Sequence, residues 1–119
     1  MSSKPTYIPG PDHPITIEHT AGRVVVKHGD HIIADSRNAL TLREASYPPV
    51  HYIPRADVDM AMLTPSTHQT YCPYKADASY LSAEGLPNSV WSYERPYDAV
   101  AAIAGHLAFY PDRFRIIVE

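Results

Sequence analysis

Short apolar stretches bounded by turn residues recur along this chain and read as strands, whose side chains repeat every two residues. The clearest instance is RVVVKHGDHIIADS at 23–36, where two apolar runs flank Gly29 and Asp30. Glycine accepts the positive φ that a two-residue turn requires, so the stretch predicts a β-hairpin. A strand over 15–19 precedes it. ALTLREA follows, with Leu40, Leu42 and Glu44 on one face and Thr41 and Arg43 on the other. Glu44 then either points toward the core, where a buried carboxylate needs a cation or hydroxyl partner, or stands in solvent past a strand that ends at Arg43. YPPVHYIP reads as a short strand entered after Pro49 and stopped at Pro54, with Val50 and Tyr52 on the same side. HQTYCP, ASYLS and SVWSYE predict three more strands, joined through YKAD and EGLPN, and RFRIIVE a last one.

Two segments depart from that period. DVDMAML predicts a short helix started by Asp57 and ended by Pro65. YDAVAAIAGHLAFY carries the one helical pattern, with Val100, Ile103, Leu107 and Tyr110 on one stripe and Ala99, Ala102, His106 and Phe109 on a second. It predicts a largely buried helix over 98–109 lying against the sheet. The first fourteen residues, with Pro5, Pro9, Pro11 and Pro14, have no period and predict an extended arm, 1–14, ahead of a single β-rich domain, 15–119. The expected fold class is mainly β (α+β): a compact antiparallel sheet domain with one C-terminal helix packed on it and one short helix.

Composition narrows the partners. A formal charge of −3, with Lys27, Arg43, Lys75 and Arg95 dispersed, lacks the basic surface that tracks a phosphate backbone, so no nucleic acid is expected. The alanine-rich stretch near 99–104 is too short to span a bilayer and MSSKPTYIPG lacks the apolar core of a signal peptide, so a cytoplasmic protein with no membrane partner is expected. One cysteine excludes an internal disulfide and a Cys-x-x-Cys zinc knuckle.

The chemistry concentrates at YCPYKADASY, 71–80. An ammonium beside a thiol favours the reactive thiolate, which makes Cys72 with Lys75 a candidate nucleophilic or redox pair; the plainer reading is a cysteine packed as a small hydrophobe. Lys75 can instead pair with an inward Glu44, or meet an anionic ligand beside Tyr80 and Trp91. Cys72, Lys75 and Glu44 are therefore the catalytic candidates, and Tyr52, Arg55, Lys75, Tyr80, Trp91 and Tyr93 the candidate ligand-binding set, aromatic rings lining a half-open cleft with a few polar handles. Cross-strand packing in a small core is the plainer reading of those rings. The seven histidines are scattered, with no metal-ligand spacing, and His106 is expected to be buried with a single hydrogen bond. Asp57 and Asp59, two apart on a helix, would not converge on one ion, so no metal is expected, zinc included, and the cofactor is left open. Phosphate-loop, dinucleotide-loop and nucleophile-elbow motifs are absent.

In order and spacing, VVVKHGDHIIADSRNALTLREASYPPVHYIPRADVDMAML, TYCPYKADASY and VWSYERPYDAVAAIAGHLAFYPDR resemble the domain-of-unknown-function 427 family, over about residues 15 to 118. Some members carry a nucleotidyltransferase label. The resemblance implies a single, mostly antiparallel domain in a β-tent-like arrangement, and no activity. Its motif positions fall on Ser36, Glu44, Tyr52, Pro54, Asp57, Thr70, Cys72, Lys75, Tyr80, Trp91, Tyr93 and Tyr110. One departure stands out: members usually have glycine after the lysine, and this chain has Ala76.

Two readings of function follow, with a third behind them. The first is a small-molecule-binding domain, with or without catalysis, whose aromatic and polar cleft lies near Cys72 and Lys75. The second is a non-enzymatic scaffold whose edge strands or aromatic face bind a partner chain or a second copy as a homodimer. Thiol redox chemistry at Cys72 is the third.

Overall fold

The computed structural model describes residues 4–119, so the first three residues of the expected arm lie outside the described residues. Among the described residues, ten strands form three antiparallel sheets. Strands β1 (Ile15–His19), β4 (Leu40–Glu44) and β5 (Val50–Tyr52) make the first, in the order β1-β4-β5. The second is the predicted hairpin of β2 (Val24–His28) and β3 (His31–Ser36), turning at Gly29 and Asp30, with β10 (Arg115–Val118) added beside β2. The third is β6 (Thr64–Cys72), β7 (Ala76–Ala83), β8 (Leu86–Ser92) and β9 (Leu107–Phe109), in sequence order.

A two-faced third sheet organises the packing. Leu81, Val90, Leu107 and Phe109 turn one way, into a core shared with Val24, Val26 and Ile33 of the second sheet. Ala78, Tyr80 and Ala108 turn the other way, into a core shared with Leu42 and Tyr52 of the first sheet and with Tyr93, Val100 and Ile103. Along β7 the alternation would separate these sets strictly. It does so here, burying Tyr80 and Leu81 in succession, one in each core. Ile53 and Leu107 exchange backbone hydrogen bonds at 2.8 Å in both directions, which ties the first sheet to the third.

The expected helix over 98–109 does not form. Asp98–Ile103 is a 3₁₀ segment interrupted at Val100, Gly105 at φ 71° redirects the chain, and Leu107–Phe109 pairs with β8 as a strand. Val100, Ile103 and Leu107 are all fully buried, so the stripe correctly marks burial and misreads conformation. The physical reason is the position of β9 between two cores: a strand covered on both faces is a continuous apolar run, which periodicity alone does not distinguish from a buried helix. Ala99 and Ala102, on the expected second stripe, are exposed, and His106 is half-buried rather than buried.

The short helix expected from Asp57 is likewise two 3₁₀ turns, Arg55–Asp57 and Met60–Met62. Asp57 does not cap a helix. Its Oδ2 accepts the Ser36 hydroxyl at 2.6 Å, and the same Ser36 Oγ accepts the Asn38 amide, so this side chain ties the end of β3 to the loop after β5. Extending the pairing, the Asp59 amide bonds the Ile33 carbonyl at 2.8 Å.

Residues 4–14 run as an arm against the β6–β7 end of the third sheet. The Tyr7 amide donates to the Pro73 carbonyl, the Tyr71 hydroxyl to the Pro5 carbonyl, and Lys4 pairs with Asp77 at 2.7 Å. No helix among the described residues is long and apolar enough to cross a membrane.

Candidate functional site

The turn between β6 and β7 places the chemistry singled out in the sequence. The Lys75 amide bonds back to the Cys72 carbonyl at 3.1 Å, and Cys72 pairs with Ala76 across the hairpin. Ala76 follows with φ 96°, a conformation glycine adopts freely and an L-residue resists. The tight turn swings both candidate side chains to one side, so that Lys75 Nζ donates to Cys72 Sγ at 3.5 Å.

Lys75 is itself buried, and its Nζ donates to Glu44 Oε1 at 2.5 Å. Glu44, at the last residue of β4, therefore has the cation that an inward carboxylate needs. Its second oxygen, Oε2, meets His13 Nε2 at 2.7 Å, and the His13 ring lies stacked on Tyr74 with centroids 4.0 Å apart. Burial pushes the Glu44 carboxyl up, but the hydrogen bonds from Lys75 and His13 outweigh it and leave the group below its ordinary value. The line His13–Glu44–Lys75–Cys72 thus joins the arm, the first sheet and the third.

Beside this line opens a cavity of about 280 Å³. Glu44 and Lys75 form its polar wall, Leu42, Val50 and Tyr52 come from the first sheet, and Tyr80, Trp91, Tyr93 and Tyr110 from the third sheet and its flanks. Five of the six proposed ligand-binding residues, Tyr52, Lys75, Tyr80, Trp91 and Tyr93, are in that lining. Arg55 is not: its Nη1 donates to the Gly105 carbonyl at 2.6 Å and to Glu94 at 3.0 Å, clamping the turn that redirects the chain into β9. Cys72 sits behind Lys75 rather than in the lining.

The aromatic groups are individually fixed. The Trp91 indole donates to the Tyr52 hydroxyl at 3.3 Å, and the Tyr80 hydroxyl shares a hydrogen bond with Thr70 at 2.9 Å. Lys75 Nζ lies 5.8 Å from the Tyr93 ring centroid, on its face. Burial raises Tyr52 and Tyr93 well above the ordinary phenol range, and burial together with the Tyr80 hydroxyl pushes Tyr110 up to about 12. These phenols keep their protons in neutral solution.

Several positions that carry the family resemblance prove to be one another's partners: Ser36 with Asp57, Lys75 with both Glu44 and Cys72, Thr70 with Tyr80, Tyr52 with Trp91. The family model described as domain of unknown function 427 matches residues 16–119. The chain belongs to this family. No curated protein matches it. Within the family span, the paired positions lock the site's walls, whereas His13 lies outside it and was not visible as a site residue. The one signal for it is register: Ile15 pairs with Glu44 in the β1–β4 ladder, which carries the residues just before Ile15 alongside that carboxylate. Tyr47 and Pro48, from the loop after β4, also enter the lining without a sequence cue. Among the described residues, no group of three or more His, Cys, Asp or Glu side chains is placed to hold a metal ion.

Proposed function

We propose that this protein binds a small, uncharged, oxygen-bearing molecule in the cavity walled by Lys75, Glu44 and the tyrosines. The closed ion pair between Lys75 and Glu44 carries the reading. An ammonium bonded to a carboxylate at 2.5 Å is neutralised where it stands, so the wall offers hydrogen-bond donors without a net charge to attract a phosphate. Lys75 has three N–H groups, of which Glu44 and Cys72 occupy two. The third, with the protonated phenols of Tyr52 and Tyr93, supplies donors for a carbonyl or hydroxyl oxygen. The rings supply apolar faces for the rest of the ligand, as in small-molecule sites generally.

A thermal-shift screen of the full chain tests this, with neutral carbonyl and hydroxyl compounds set against nucleotides and sugar phosphates. A ligand that binds only the folded state raises the melting temperature by mass action. The expected hits are neutral compounds whose shift disappears in both Lys75→Met and Trp91→Ala. Hits confined to phosphorylated compounds would overturn the reading. Absence of any shift, together with a mass that rises with protein concentration, would favour the homo-oligomeric scaffold instead.

A further inference from the structure

A second, larger chamber of about 480 Å³ adjoins the first. Tyr47, Pro48, Val50 and Trp91 line both, so a single partition separates them. Their chemistries differ. The first chamber holds the Lys75–Glu44 pair and the phenols. The second is built from Val26, Ile53, Phe109, Pro111, Ile116 and Val118, with His51 as its only basic side chain. His51 bonds Thr41 Oγ1 through Nδ1 at 3.1 Å, and burial, with Arg43 nearby, holds its ring below the usual imidazole range. The partition hangs on a loop whose Ala45 stands at φ 48°, and Tyr47 at its tip is 61% exposed.

Resting on the function proposed above, we infer that the ligand is an amphiphile. Its uncharged hydroxyl or carbonyl head bonds Lys75 and the tyrosines in the first chamber, and its aliphatic or aromatic body passes Trp91 into the second. Polarity contrast across a shared wall is what selects this class: a polar molecule alone leaves the apolar chamber to water, and a hydrocarbon alone leaves the Lys75 donor unused.

Trp91 is the only tryptophan and stands in the partition, so its fluorescence reports occupancy directly. The full chain is titrated with straight-chain primary alcohols from butanol to decanol, and with the matching carboxylates. Affinity is expected to rise about fourfold per methylene, the transfer preference of a buried CH₂, until the second chamber is full. Each alcohol should bind more tightly than its carboxylate, whose charge would face Glu44. Two variants separate the claims. Lys75→Met should weaken every alcohol by one common factor. Val118→Glu, at a residue 47% exposed and so tolerant of change, should flatten the dependence on chain length while leaving butanol unaffected. Binding of neutral heads with no dependence on chain length overturns the amphiphile and leaves the proposed function standing. Alcohol affinities that Lys75→Met leaves unchanged overturn the polar head and with it both readings. No change in Trp91 fluorescence with any alcohol overturns the amphiphile.

Discussion

Removing the Lys75 ammonium while keeping its stem tests whether the Glu44–Lys75 pair holds the first and third sheets together. Lys75→Met retains the apolar contacts of the side chain and leaves the Glu44 carboxylate with His13 as its only strong partner. The two side chains are 8% and 14% exposed, so little water replaces the lost ammonium. Breaking one partner of a fully buried pair costs about 3–5 kcal/mol. With His13 still bonded and some access to solvent, about 2–3 kcal/mol is expected for Lys75→Met. For a chain of this length that is a drop in Tm of roughly 8–12 °C. Glu44→Gln keeps an acceptor for Lys75 and should cost about 1–2 kcal/mol. The double variant removes both charges, so its loss should fall short of the sum of the singles by about 1–2 kcal/mol. Urea unfolding at neutral pH measures all four proteins, with unchanged m-values showing that the two-state comparison holds. Strict additivity, or a Lys75→Met protein within about 0.5 kcal/mol of wild type, would refute the reasoning.

Acid should act through the same carboxylate. Because the folded state holds Glu44 below its unfolded value, its contribution is complete above about pH 4.5 and is lost as pH falls through the lower folded value. Wild type should therefore lose stability faster than Glu44→Gln on acidification from pH 4.5 downward, and parallel curves in urea midpoints would contradict the shift. Ala76 gives a prediction of the opposite sign. Relief of a backbone at φ 96° is worth about 1–3 kcal/mol, against about 0.4–1 for the freer unfolded glycine and at most about 0.8 for the lost methyl. Ala76→Gly should leave Tm equal or higher, and Ala76→Val should lower it; a glycine variant that melts below the valine variant would exclude strain at this turn.

Legibility followed local physics. Period-two segments bounded by proline or glycine read directly as strands, and the Gly29–Asp30 turn needed no tertiary information. The stretch from Val100 to Phe109 failed because its conformation is decided by a sheet on one side and two cores around it, facts that no window of neighbours contains. Part of the site was equally legible. Alternation left Glu44 either inward or solvated past the strand end, an inward carboxylate needed a cation or hydroxyl, and Lys75 was a candidate for that partner. Arg55 was assigned to the cleft on charge alone, whereas the Gly105 carbonyl, fifty residues away in sequence, claims it. His13 stood in an aperiodic arm where only strand register could have signalled it.

The arm changes what counts as the unit of this protein. Similarity to the family begins at residue 16, so an expression boundary drawn from similarity would discard His13 and every bond that residues 4–14 make to the β6–β7 hairpin. Such a shortened chain would lose only Ile15 from the described strands yet leave one Glu44 oxygen without its partner and the Tyr74 ring bare. Recurrence among relatives and physical completeness draw different borders here, and a binding study run on the shorter piece would be a study of a different pocket.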